Sequence, residues 1–107
     1  MLWLRGFSWT CGLLVSVGCQ GPERWAGTYH STWGLCVVKV RGREAVIHYP
    51  RGVMNCRIEE PVTFRCQWQS GEARGQAVFR AQEDGTLRGS WGRGESAEDG
   101  GPWVLAR

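Results

Sequence analysis

Lysine is almost missing from this chain: Lys39 stands alone among thirteen basic residues, the rest being arginine. Ten acidic residues are interspersed with them, so the formal charge is only +3 and no long cationic run exists. That balance does not point to nucleic acid as a partner. Histidine is equally sparse, with His30 and His48 only. No Cys-x-x-Cys pair, phosphate-binding Gly-Lys loop, His-Glu-x-x-His helix or Gly-x-Ser-x-Gly elbow occurs. The usual frameworks of redox, nucleotide, zinc-hydrolase and serine-hydrolase chemistry are therefore missing. What is abundant is glycine, sixteen of 107 residues, and tryptophan, seven. With 42% hydrophobic residues the chain can build a core, and its length suits one domain.

Residues 1–18 differ from all that follows. Met1-Leu2-Trp3-Leu4-Arg5 supplies a positive start, Gly6 to Gly18 carries no charge, and Cys11 to Gly18 is the most apolar part. The stretch is shorter than the ~20 residues a bilayer-spanning helix needs. Its basic start, apolar middle and small residue before a cut have the layout of a secretory signal. Val17-Gly18-Cys19 resembles the end of the lipobox of bacterial lipoproteins, with Ser16 where that family usually has Leu. The resemblance implies cleavage before Cys19, a diacylglyceryl group on its thiol, and residues 19–24 as a tether. Residues 25–107 would then form a soluble domain, secreted across the inner membrane and lipid-anchored in the cell envelope. The residues themselves also allow an ordinary secretory signal cut nearby, or a buried first strand.

From Trp25 onward, short alternating runs are broken by turn residues. Trp25 to His30, Leu35 to Val40, Glu44 to Tyr49, Val53 to Ile58, Val62 to Trp68, Gly75 to Ala81, Thr86 to Trp91 and Trp103 to Arg107 make eight candidate strands. Between them lie Arg41-Gly42-Arg43, Pro50-Arg51-Gly52, Glu59-Glu60-Pro61, Ser70-Gly71-Glu72 and Glu83-Asp84-Gly85, each with a Gly or Pro suited to chain reversal. Alternate residues in a strand face opposite sides. One side collects Cys36, Val38, Ala45, Ile47, Tyr49, Met54, Cys56, Ile58, Phe64, Cys66, Trp68, Phe79, Leu87 and Trp91; the other takes Lys39, His48, Arg57, Arg65, Arg80 and Arg88. An open meander would leave two raw edges, and closure removes them. The expectation is an all-β, up-and-down barrel of eight strands, with a β-sandwich as the alternative. Glycine and charge in Gly92 to Pro102 predict a mobile, solvated loop.

Cys56 and Cys66 lie five residues either side of Pro61. A hairpin turning at Glu60-Pro61 sets them opposite each other on one face, close enough to bond. Without that register they are two core thiols, and Cys36 remains a buried thiol or a competitor. Zinc is disfavoured by the wide spacing of the three cysteines and two histidines, so no metal or cofactor is expected.

A hydrolase would need a nucleophile, a base and an orienting group converging in space. His30 beside Ser31 and Thr32 is the nearest approach to that, while His48 falls on the outward side and the paired acids lie in turns. A non-enzymatic protein is expected. The aromatics Trp25, Tyr29, Trp33, Tyr49, Trp68, Trp91 and Trp103 sit at or near strand ends, where they either wall an apolar pocket or plug the barrel.

Several of these residues also resemble the avidin and streptavidin family: Gly27-Thr28-Tyr29 with Gly34 after it, His48-Tyr49, Trp68, Trp91, and the closing Trp103-Val104-Leu105-Ala106-Arg107. The resemblance implies a barrel, with Tyr49, Trp68 and Trp91 as ligand-contacting positions. Ser31 stands where that family binds the ureido oxygen of biotin through Asn, and Leu35 where it does so through Ser. Tyr29, Tyr49, Trp68 and Trp91 are thus the expected ligand-binding set, and Cys19 the lipidation site. The expected partners are the membrane, through the lipid anchor, and a small apolar molecule or an envelope protein. The alternative is an inhibitor-like or structural module with a filled barrel and a binding loop at Gly92 to Gly101.

Overall fold

The computed structural model describes residues 21–60 and 62–107. Eight strands follow one another: β1 (Gly27–Ser31), β2 (Gly34–Arg41), β3 (Glu44–Tyr49), β4 (Gly52–Glu59), β5 (Thr63–Ser70), β6 (Ala73–Ala81), β7 (Leu87–Arg93) and β8 (Gly101–Ala106). Each pairs antiparallel with the next, and β8 returns to β1, closing an up-and-down barrel. The sandwich alternative falls because no sheet edge is left open to form a second layer.

The alternation of side chains produces the interior. In β4, Met54, Cys56 and Ile58 are buried while Asn55 and Arg57 are exposed. In β5, Phe64, Cys66 and Trp68 are buried while Arg65, Gln67 and Gln69 are exposed. Val38, Ile47, Phe79, Leu87 and Leu105 complete the middle of the core, each fully or almost fully withdrawn from water. Burial of each such side chain contributes about 1.5–3 kcal/mol before the entropy of ordering is counted. Cys56 and Cys66 are register partners and form a disulfide, the pairing expected from their symmetric spacing about residue 61. Cys36 is a buried free thiol.

Up-and-down order gives the barrel two unlike ends. The loops 31–34, 49–52, 70–73 and 93–101 gather at one end; the loops 41–44, 59–63 and 81–87 gather at the other, together with the entering and leaving chain. This second end is closed. Pro22–Trp25 forms a 3-10 turn, with Pro22 near its start and Ala26 donating to the Glu23 carbonyl at 3.0 Å. Trp25 therefore belongs to this turn and not to the first strand, and its indole is buried as part of the core. Pro22 to Arg24, expected within the tether, are likewise part of the closed end.

The seam between β1 and β8 is short, with His30 opposite Ala106 and Ser31 opposite Leu105. Side chains extend it. Val104 donates its N–H to Thr32 Oγ1 at 3.0 Å, and the Arg107 guanidinium lies over the Tyr29 ring at 4.9 Å while donating to the Arg24 carbonyl. Residues 1–18 and Cys19, on which the targeting and lipidation expectations rest, lie outside the described residues.

Candidate functional site

The first end of the barrel is open, and its lining follows from the same alternation. Tyr49, Trp68, Trp91 and Trp103 occupy inward positions near that end of β3, β5, β7 and β8, and the tip of the β1–β2 hairpin adds Trp33. These five rings form a continuous edge-to-face series: Trp68 against Trp91 at 5.8 Å, Trp91 against Trp33 at 5.7 Å, Trp33 against Trp103 at 6.4 Å, and Trp103 against Tyr49 at 5.3 Å. Edge-to-face contact is the preferred geometry for such rings and fixes their orientation. They enclose a cavity of about 290 Å³ that opens to solvent, with Arg51, Ser70, Ala73 and Arg93 completing its lining. That volume lies at the lower edge of the roughly 300–1,000 Å³ of small-molecule sites, so an occupant would be small.

Two glycines make room for the rings. Gly75 is the register partner of Trp68, and a Cβ there would meet the Gly92 carbonyl oxygen at 1.9 Å and the Trp68 indole at 2.6 Å. A Cβ on Gly100 would meet the Trp91 ring at 2.5 Å. Each indole is thus seated on bare backbone.

The polar groups around the cavity are mostly engaged within the protein. Trp68 Nε1 donates to the Gly92 carbonyl at 3.0 Å, Trp103 Nε1 donates to Ser31 Oγ at 3.2 Å, Tyr49 donates its hydroxyl to the Gln69 carbonyl, and Ser70 donates to the Arg51 carbonyl. Ser31 is a junction. Besides Trp103, its Oγ accepts from the Trp33 backbone N–H at 3.1 Å and donates to the Gly34 carbonyl at 2.6 Å, while the Cys36 thiol lies 3.4 Å from that Oγ and 3.8 Å from the Gly34 carbonyl. Those bonds hold the hairpin tip, and so Trp33, over the mouth. Trp91 Nε1 is the exception: among the described residues it is the buried side-chain polar atom without a partner. Burial pushes the Tyr49 hydroxyl above its ordinary pKa, with the Cys36 thiol adding to the effect. Burial also raises Cys36, partly offset by its bond to Ser31.

Of the four expected ligand-binding residues, the structure brings Tyr49, Trp68 and Trp91 together on this cavity. Tyr29 is elsewhere. It is fully buried, and its hydroxyl donates to the Trp25 carbonyl at 2.6 Å, which draws the ring toward the closed end. Trp33, Trp103, Arg51 and Arg93 join the lining instead. Assigning alternate hairpin turns to one end of the barrel collects all four of them, and that signal is present in the sequence.

Ser31, where the avidin-like pattern has a ligand-binding Asn, spends its hydroxyl inside the protein; Leu35 lies on the outer wall, 51% exposed. His30 and His48 are exposed on that outer wall, so His30 and Ser31 form no catalytic pair. Among the described residues, no three His, Cys, Asp or Glu side chains converge as a metal site requires.

The loop after β7 is shorter and more tied down than its composition suggests. Ser96 Oγ accepts from the backbone N–H groups of Glu98 and Asp99, Asp99 Oδ1 accepts from the N–H of Arg93, and Ser90 donates to the Ala97 carbonyl. Short polar side chains satisfy backbone groups that would otherwise need water. Comparison of the chain with protein-family models, with curated proteins and with solved structures finds no match.

Proposed function

We propose that this chain is a non-enzymatic, lipid-anchored protein of the bacterial cell envelope that holds a small apolar molecule in the mouth of its barrel. The observation that carries the binding reading is the cavity of about 290 Å³ walled by Trp33, Tyr49, Trp68, Trp91 and Trp103. The interior of an eight-stranded barrel is either filled by side chains or holds one small ligand. Here the closed end is filled by Trp25 and Tyr29, while the opposite end leaves its rings around open space.

The direction of the chain sets how an anchored barrel would be oriented. Gly21 and Pro22 enter at the closed end, so an acylated Cys19, two residues before Gly21, attaches the barrel there. The mouth then faces away from the membrane.

Two experiments test the two halves. Expression in a bacterium of the native chain and of Cys19→Ser, followed by intact mass and membrane partitioning, should show a diacylglyceryl increment and membrane retention in the first only. An unmodified native chain retaining residues 1–18 overturns the anchor. For binding, titration with 2-naphthylmethanol should change tryptophan fluorescence saturably at one site, and Trp33→Ala should weaken it about tenfold, the equivalent of one lost aromatic contact. Equal affinity in both forms would remove the mouth from consideration.

A further inference from the structure

We infer that the molecule held in the mouth is an anionic amphiphile, with a small apolar body among the indoles and one oxyanion, carboxylate or phosphate, at the rim between Arg51 and Arg93. The inference rests on the apolar-ligand reading and adds the charge of the ligand to it.

Most polar groups of the lining are already engaged. Tyr49, Ser70, Trp68 and Trp103 already donate to protein acceptors. The lining donors left without a protein acceptor are the guanidiniums of Arg51 and Arg93 and the indole N–H groups of Trp33 and Trp91, while Tyr49 and Ser70 keep acceptor lone pairs. A ligand complementary to this set brings acceptors. A neutral hydrocarbon would leave both guanidiniums unanswered, and a cation would be repelled by them.

Charge points the same way. The cavity lining contains two arginines and no carboxylate. The ion pairs among the described residues, Arg43 with Glu60 and Arg65 with Glu59, both lie toward the closed end. Arg51 and Arg93 take no part in them, so both guanidiniums of the lining are free for a charge-assisted bond, the carboxylates of Glu72, Glu95, Glu98 and Asp99 in the loops of the same end lying outside the lining. Guanidinium binds carboxylate and phosphate oxygens in a forked geometry, and the adjoining low-dielectric ring wall strengthens the attraction.

Calorimetric titration of the full chain with four probes sharing one ring system tests this: 2-naphthoate, 2-naphthyl phosphate, 2-naphthylmethanol and 2-naphthylmethylammonium. The anions should bind about tenfold or more tightly than the alcohol, and the ammonium most weakly. Whichever anion is preferred identifies a carboxylic acid or a phosphate monoester as the ligand class. Arg51→Gln with Arg93→Gln should bring the anions down to the alcohol's affinity, whereas Arg51→Lys with Arg93→Lys should keep most of the preference. If the alcohol binds the native chain as tightly as the anions do, or the ammonium binds most tightly, the inference is overturned while the apolar-ligand reading stands. If none of the four binds, both are overturned.

Discussion

Cys56 and Cys66 face one another directly across the β4–β5 hairpin, and their disulfide joins Cα atoms 4.0 Å apart inside the barrel wall. The bond closes a short loop, the two residues being 10 apart in sequence. Chain-entropy reasoning gives such a loop about 2–3 kcal/mol of stabilisation. Replacing both cysteines by alanine should therefore lower the unfolding free energy obtained from chemical denaturation by that amount. Peptide mapping without reductant should find the two sulfurs linked and Cys36 free. A Cys36 linkage would contradict the register.

Ser31 ties together the β1–β2 hairpin, Trp33 and Trp103 through one hydroxyl. Ser31→Ala leaves the Trp103 indole N–H and the Trp33 backbone N–H without their acceptor. The expected loss is about 1–3 kcal/mol in denaturant titration. It should be accompanied by weaker binding of the naphthyl probes, because Trp33 is no longer held over the mouth. A change below the error of the titration would remove Ser31 from this role.

Trp68 and Trp91 touch the same cavity but differ in one bond. Trp68 Nε1 has the Gly92 carbonyl, and Trp91 Nε1 has nothing. Phenylalanine removes similar ring area from both but breaks a hydrogen bond only at Trp68. Trp68→Phe should consequently destabilise the ligand-free chain by about 1 kcal/mol more than Trp91→Phe. Comparison of the two denaturation midpoints checks the order, and an equal or reversed order would contradict the bonding described.

Cys36, Tyr29 and Tyr49 all have their pKa raised chiefly by burial, with Arg107 partly offsetting the shift at Tyr29. For groups of this sign the unfolded chain releases its protons first as pH rises. Their contribution to stability is complete below the ordinary thiol and tyrosine values of about 8.5 and 10, and is lost as pH climbs through the raised values. Thermal melts from pH 7 to 11 should show this decline. Cys36→Ala should flatten its early part, and parallel curves for the two proteins would contradict the burial of the thiol.

The fold was legible because period-2 alternation and turn residues act locally. Phe64, Cys66 and Trp68 announce their own face of β5, and the positions of Cys56 and Cys66 about residue 61 identify the hairpin register. The site was legible only in part, and the reason is directional. Alternation says that Tyr29 points inward, but not toward which end; the Trp25 carbonyl, supplied by a 3-10 turn with no periodic signal, decides that. Trp33 sits at a hairpin tip, where no strand phase applies. Arg51 and Arg93 lie at strand ends in polar stretches that look solvated in isolation. Ser96 and Asp99 read as loop residues, and only the folded backbone reveals which N–H groups they satisfy.

The most direct test of the account is the indole N–H region of the ¹⁵N–¹H spectrum of the chain, recorded during titration with 2-naphthoate. Trp25 serves as an internal control, since it is buried in the closed end, away from the cavity. The signals of Trp33, Trp68, Trp91 and Trp103 should move and saturate together, while Trp25 stays in place. Movement at Trp25 alone, or no saturable movement at the four cavity indoles, would contradict the claim that the open end of this barrel is a binding site.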